Sequence, residues 1–225
     1  MAKKIYLSPA AHGADNATKC PTKCGENVHC NQYMDILEKR LKALGFSVKR
    51  GNKNKVGDAA LTSRVAEANK WGADLYYVAH TNAGGGRYSL TMCWPDAESR
   101  KRANIIHKYR KCVSSHQVWD NNSLYEIRAT SMPCLYDELF FHDNAEDCKW
   151  FHNGGMEKLA EETAQALCEI LGVTYKASTK TETKTDTKVK ELEAKVKTLE
   201  SEVTSLKKTI TNLSDKITKA KTALQ

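Results

Sequence analysis

Short apolar runs alternate with longer amphipathic stretches along the first 175 residues of the chain. The runs at 4–8, 46–50 and 75–79 are rich in β-favouring residues and predict strands. Between them, apolar residues recur at helical spacing over 28–45 and 59–71 and predict helices. The order strand, helix, strand, helix, strand indicates an α/β domain with a mainly parallel sheet flanked by helices.

The pattern after the third strand is less regular. It predicts two further strands and two further helices, with the strands at 88–94 and 134–136 and the helices at 96–113 and 153–171. Residues 117–132 are polar and irregular, and we interpret them as a long loop whose Trp119 either contacts a ligand or packs. We interpret His107 and His116 as solvated.

The last 50 residues have a different composition, with no Cys, Trp, Gly, His, Pro, Phe or Tyr. Residues 176–188 are mostly Thr and Lys and predict a polar linker between the α/β domain, 1–175, and the tail. Over 189–225, apolar residues alternate spacings of three and four, with β-branched residues at a and Leu at most d positions. This heptad pattern favours a parallel two-stranded coiled coil, and a trimer stays open.

Charge adds little to this picture. The net charge is +8, of which the tail contributes +5 through 12 Lys and 7 acidic residues. No Lys/Arg block in 1–175 resembles a nucleic-acid patch, so we expect no nucleic-acid partner. No apolar run is long enough for a membrane span or a secretory signal, so we expect synthesis in the cytoplasm without a signal peptide and no membrane insertion.

The eight cysteines are expected to stay reduced in such a compartment. Cys20, Cys24 and Cys30 lie close together near His29 and could bind a second metal, although their spacing fits no common zinc module. Plain loop cysteines are the preferred interpretation.

Candidate chemistry begins at His80. This residue ends an apolar strand and is followed by Thr81, Asn82 and, one residue later, three consecutive glycines. His12 follows the first strand in the same way, so two neighbouring parallel strands would bring the two imidazoles side by side. A lone His at a strand end is more often structural, and two further metal-ligand groups would reverse that preference. Asn82 could orient a substrate or cap the turn.

Two glutamates are further candidates. Glu26 lies at the start of a predicted helix, where the helix dipole alone would explain an acidic residue. Glu138 lies just before Phe140 and Phe141, in a run that predicts burial. A buried carboxylate is costly unless it meets a cation, a donor or a metal-bound water.

Together these features resemble the zinc-dependent N-acetylmuramoyl-L-alanine amidases of the amidase-3 family, which includes phage endolysins and bacterial cell-wall hydrolases. The resemblance rests on the His loop after the first strand, the Glu that opens a helix, AHTNAGGG at 79–86 and ELFFHDNAED at 138–147. It covers about residues 3–175. It implies that His12, Glu26 and His80 bind Zn²⁺, with His29 as the alternative to Glu26, and that Glu138 is catalytic.

The resemblance also implies a function. We expect a peptidoglycan hydrolase that cleaves the amide between N-acetylmuramic acid and L-alanine, as a phage or prophage endolysin that acts on the cell wall after release. The coiled coil would form a homo-oligomer, preferably a parallel dimer, and add avidity for the wall. The alternatives are an amidase or peptidase acting on another bond, and a non-catalytic assembly or wall-binding protein with an amidase-like head.

Overall fold

The computed structural model describes residues 1–12, 25–177 and 184–223. The chain divides into two units, residues 1–176 and 177–225. The described residues of the first unit form six strands: β1 (Lys4–Pro9), β2 (Ser47–Arg50), β3 (Leu75–Asn82), β4 (Ser89–Cys93), β5 (His116–Asp120) and β6 (Cys134–Phe141). They also form six α-helices: α1 (Glu26–Ala43), α2 (Asp58–Trp71), α3 (Ala97–Tyr109), α4 (Tyr125–Ala129), α5 (Ala145–Trp150) and α6 (Met156–Leu171).

The six strands form one sheet in the order β2-β1-β3-β6-β4-β5. Neighbouring strands run parallel except for β4 and β6, which are antiparallel. The C-terminal ends of β1, β3 and β6 therefore lie at one edge of the sheet, which we call the site edge. This mainly parallel sheet with flanking helices confirms the predicted fold class.

Each face of the sheet has its own apolar core. On one face, Leu7, Tyr77 and Leu135 are fully buried in a cluster that includes residues of α1, α3 and α6. On the other face, which we call the α2/α4 face, strand residues pack with residues of α2 and α4: Tyr6, Tyr76, Val78, Leu90, Met92 and Tyr136. Strand residues alternate between the two faces, so the face of any strand side chain follows from its position.

A buried ion pair joins α3 to the sheet. The side chains of Arg110 and Asp137 are both 0% exposed, and Arg110 Nη2 donates to Asp137 Oδ2 at 2.5 Å. Tyr77 Oη donates to the same oxygen at 2.6 Å, and the Thr91 hydroxyl donates to Oδ1. Arg110 also donates to Thr163 Oγ1 on α6 at 3.1 Å. The network thus connects β3, β4 and β6 to the helices that cover this face.

The structure differs from the sequence prediction at 117–132, which contains most of β5 and all of α4. Both elements have five residues, too few for a periodic pattern to be recognised. His116, interpreted as solvated, is buried, and its Nε2 lies 2.9 Å from Thr91 Oγ1. That interpretation was wrong for His116, because its strand pairs with β4, and burial lowers its pKa to about 3.

The second unit contains a 40-residue helix, α7 (Lys184–Ala223). Residues 184–188, which the polar pattern assigns to the linker, are therefore helical, and 178–183 lie outside the described residues. The predicted core positions with described side chains are 48–65% exposed in the single chain: Leu192, Val196, Leu199, Val203, Leu206, Ile210, Leu213 and Ile217. None of the described helices has the length and apolar composition needed to cross a membrane.

We predict that Arg110→Met destabilises the first unit by about 3–5 kcal/mol, because it leaves the Asp137 carboxylate buried without its cation. Urea unfolding followed by Trp fluorescence measures this, since all four Trp residues lie in this unit. Adding Asp137→Asn should recover part of the loss, because the amide carries no charge. If the free energy of unfolding of Arg110→Met lies within about 1 kcal/mol of the parent value, the prediction is wrong, because breaking a buried ion pair costs more than that.

Candidate metal centre

Two neighbouring strands bring the two predicted histidines together. β1 pairs with β3 in parallel register through Pro9 and Ala79, and the Ala10 amide donates to the Ala79 carbonyl at 2.8 Å. This pairing carries the chain beyond β1 alongside the end of β3. The rings of His12 and His80 consequently lie edge to face with centroids 5.3 Å apart.

Glu26 completes the cluster from α1. It is the first residue of the helix and only 2% exposed, and its Oε1 accepts from the Thr81 amide at 2.8 Å. Oε1 lies 3.0 Å from His80 Nδ1, and Oε2 lies 3.5 Å from His12 Nε2. Its carboxylate therefore has specific partners at the site edge, beyond any interaction with the helix dipole.

These three residues fit a divalent metal ion. One ligand atom from each of His12, Glu26 and His80 lies within 4.8 Å of the others. A carboxylate this buried is costly unless positive charge or donors compensate it. His80 Nε2 is also buried and has no hydrogen-bond partner in the described part of the chain. Two imidazoles and one carboxylate form a donor set that Zn²⁺ takes in catalytic sites, with a position left for water or substrate.

The charges of Glu26 and His80 support each other. Burial alone would raise the pKa of Glu26, but the contacts with His80 and the Thr81 amide outweigh burial and lower its pKa to about 2. Burial would likewise lower the pKa of His80, and Glu26 raises it above its ordinary value. The glutamate is thus a carboxylate at neutral pH, as a metal ligand must be.

Glu138 lies beside this cluster, on the strand next to His80. The two residues are direct partners in the β3–β6 ladder. The strand predicted at 134–136 extends to Phe141, so Glu138 lies within β6, three residues before its end. Its Oε2 is buried and has no hydrogen-bond partner among the described residues, and burial raises its pKa to about 7. A carboxyl with such a pKa can accept and return a proton near neutrality.

Sequence reasoning missed two groups that hold this site. The Tyr136 ring stacks on His80 with centroids 4.7 Å apart, and the Thr81 amide fixes Glu26. The position of Tyr136, two residues before Glu138, was the available signal, because residues two apart share a face of a strand. The contact of the Thr81 amide with Glu26 could not be predicted in this way, because every residue except proline has a backbone N–H group.

The other candidates lie outside the cluster. Asn82 Oδ1 accepts from the amide of the next residue, Ala83, at 2.8 Å. His29 is fully buried, with its ring 5.0 Å from that of His152 and 5.6 Å from that of Phe140. Cys30 is buried, and Cys20 and Cys24 lie outside the described residues.

Comparisons with known proteins identify the family of this chain. The profile of the Amidase_3 family, N-acetylmuramoyl-L-alanine amidase, matches residues 5–169. The N-acetylmuramoyl-L-alanine amidase CwlM of Bacillus licheniformis is 28% identical over 124 residues, 53% of this chain and 49% of that protein. The sporulation-specific N-acetylmuramoyl-L-alanine amidase of Bacillus subtilis (strain 168) is 29% identical over 94 residues, 39% of this chain and 36% of that protein. The matches thus span half or less of these relatives.

Solved structures share the fold. The catalytic domain of CwlV, an N-acetylmuramoyl-L-alanine amidase from Bacillus (Paenibacillus) polymyxa var. colistinus, has a TM-score of 0.65 at 21% identity. The alignment covers 76% of this chain and 99% of that domain. AmiC2 of Nostoc punctiforme, an N-acetylmuramoyl-L-alanine amidase, has a TM-score of 0.66 at 15% identity, covering 76% of this chain and 97% of that one.

We predict that the chain binds one Zn²⁺ and that His80→Ala and Glu26→Ala each abolish stoichiometric binding, because each removes one member of the three-residue cluster. Equilibrium dialysis followed by elemental analysis measures the bound metal. His107→Ala, which removes an exposed His from α3, is the matched control and should bind as the parent does. Unchanged zinc binding by His80→Ala would exclude this cluster as the metal site.

Proposed function

Because the chain belongs to the amidase-3 family of cell-wall hydrolases, we propose that it hydrolyses the amide bond between N-acetylmuramic acid and L-alanine in peptidoglycan. The observation that carries the proposal is the pairing of Glu138 with His80, which sets a buried proton acceptor beside the His12–Glu26–His80 cluster. Metal-assisted hydrolysis of an amide uses a metal ion that activates water together with a side chain that transfers the proton.

We assign His12, Glu26 and His80 as the zinc ligands. When bound, zinc would polarise the amide carbonyl and lower the pKa of a water molecule. Thr81 and Tyr136 support this ligand set: the amide of Thr81 holds the Glu26 carboxylate, and the ring of Tyr136 fixes the plane of His80. Groups that orient metal ligands in this way commonly affect metal affinity as well as the orientation of the ligand side chains.

Glu138 is the proposed general base and acid. Its Oε2 would take a proton from the attacking water and then give it to the leaving nitrogen of L-alanine. Three properties suit Glu138 to proton transfer, namely a pKa of about 7, a buried oxygen without a partner among the described residues, and a position opposite His80. The two glutamates therefore have separate roles, Glu26 in metal binding and Glu138 in proton transfer. Asn82, whose Oδ1 accepts from the Ala83 amide, is a proposed substrate contact through its amide nitrogen.

The proposal extends to the tail and to the biological role. Paired in a parallel two-stranded coiled coil, α7 would bury its exposed apolar positions and join two catalytic units. Two units on one polymer would gain avidity for the wall without new contacts. We propose a lytic role of the endolysin kind, phage or prophage, because the family includes such enzymes and an oligomeric hydrolase suits an extended substrate.

Replacing Glu138 with Gln should lower hydrolysis at least about 100-fold, because the amide cannot take the proton from water. Zinc binding should stay at one ion per chain. The assay is the appearance of new L-alanine amino groups from purified peptidoglycan, with Glu157→Gln, an exposed glutamate on α6, as the control. A Glu138→Gln protein as active as the parent would overturn the assignment.

The full chain is expected to elute as a dimer, at twice the 25.2 kDa chain mass in light scattering. Introducing Lys at Leu199 and Leu206 should yield monomers, because both positions fall in the apolar seam. Lys at Ser201 and Ser205, outside the seam, is the matched control. A monomeric or trimeric parent chain would contradict the parallel dimer.

A further inference from the structure

An aromatic surface lies on the same face of the sheet as Glu138. Leu90 of β4 pairs with Glu138 on one side and with Gln117 of β5 on the other. Trp119 is two residues from Gln117 and therefore shares its face. Tyr88, two residues before Leu90, shares it as well and packs at the margin of the α2/α4 core. A continuous row of side chains thus leads from the proposed proton-transfer group to the outer strand.

The two aromatic rings of this surface are held in place and still accessible. Trp119 is 46% exposed, and its ring centroid lies 6.3 Å from that of Tyr88 at an angle of 49°. Tyr88 in turn contacts Phe141 edge to face at 4.9 Å. Phe141 packs against Gly86 so closely that an added Cβ would lie 2.3 Å from its ring. Because Gly86 leaves room for this packing, the surface is formed before any ligand arrives.

The distance between Trp119 and Glu138 suits contact with a part of a long substrate that neighbours the cleaved bond. β5 is two strands away from β6 in the sheet, which places Trp119 at least about 10 Å from Glu138. This is too far for the acyl group that would be cleaved, but within reach of the sugars attached to it. The three side chains that form the surface carry no charge themselves: Tyr88 and Trp119 offer rings, and Gln117 offers an amide.

We propose that Tyr88, Gln117 and Trp119 form a carbohydrate subsite for the glycan strand of peptidoglycan. The exposed Trp119 ring would stack on the C–H face of a pyranose, and the Gln117 amide would hydrogen-bond a hydroxyl or N-acetyl group. An amphipathic aromatic surface without charge suits a neutral sugar better than a stem peptide, whose carboxylates favour cations. The subsite rests on the proposed function and adds the path of the substrate to it. In this arrangement the glycan runs over β4 and β5, away from His12.

The test is a binding measurement that does not depend on turnover. Full-length chain carrying Glu138→Gln is titrated with peptide-free glycan strands and, separately, with a free stem peptide, by calorimetry. Adding Trp119→Ala should raise the Kd for glycan roughly tenfold, the loss expected for an aromatic anchor. Trp119→Phe should restore most of the affinity. Trp94→Ala is the matched control, because Trp94 is 42% exposed and, among the described residues, its ring does not contact Tyr88 or Trp119.

The outcomes separate this proposal from the proposed function. Unchanged glycan affinity in Trp119→Ala would overturn the subsite, and so would a loss confined to the stem peptide. On intact peptidoglycan, Trp119→Ala of the otherwise native chain should raise KM and leave kcat unchanged. A native chain that releases no L-alanine amino groups would overturn the proposed function, while the glycan titration would still decide the subsite.

Discussion

The Glu26 carboxylate is the contact on which the site depends. It is buried at the first residue of α1, receives the Thr81 amide, and lies within 3.0 Å of His80 and 3.5 Å of His12. A carboxylate in this position would be costly without compensating groups. Its burial therefore ties α1, β1 and β3 to one point and creates a place where a cation is favoured.

The strand order and register of the sheet position His80 and Glu138. β3 lies between β1 and β6, so His80 can face Glu26 while its ladder partner is Glu138. Asp137, the residue before Glu138, points to the opposite face and is fixed there by the buried Arg110. The register of β3 and β6 shifts between His80 and Asn82, a local irregularity of the kind found beside active sites. Buried packing on one face thus positions Glu138 on the other.

The sequence indicated much of this arrangement, for identifiable reasons. The apolar runs and helical periodicity predicted the parallel sheet, and the repeated strand-then-His pattern predicted that His12 and His80 meet. Glu26 followed only from the family resemblance, because a helix dipole explained it equally well. β5, α4 and the burial of His116 were missed, since they depend on pairing with β4 and not on local pattern. The stacking of Tyr136 on His80 likewise needs the fold to be seen.

We propose that His12, Glu26 and His80 bind a metal ion through nitrogen and oxygen atoms, and that Glu138 transfers protons beside it. X-ray absorption at the zinc edge, on the full chain loaded with one equivalent of zinc, tests this most directly, because it identifies the ligand atoms. The account predicts imidazole nitrogen and carboxylate oxygen around the metal, with no sulfur. A sulfur shell would contradict it and would place the bound zinc at the cysteines instead.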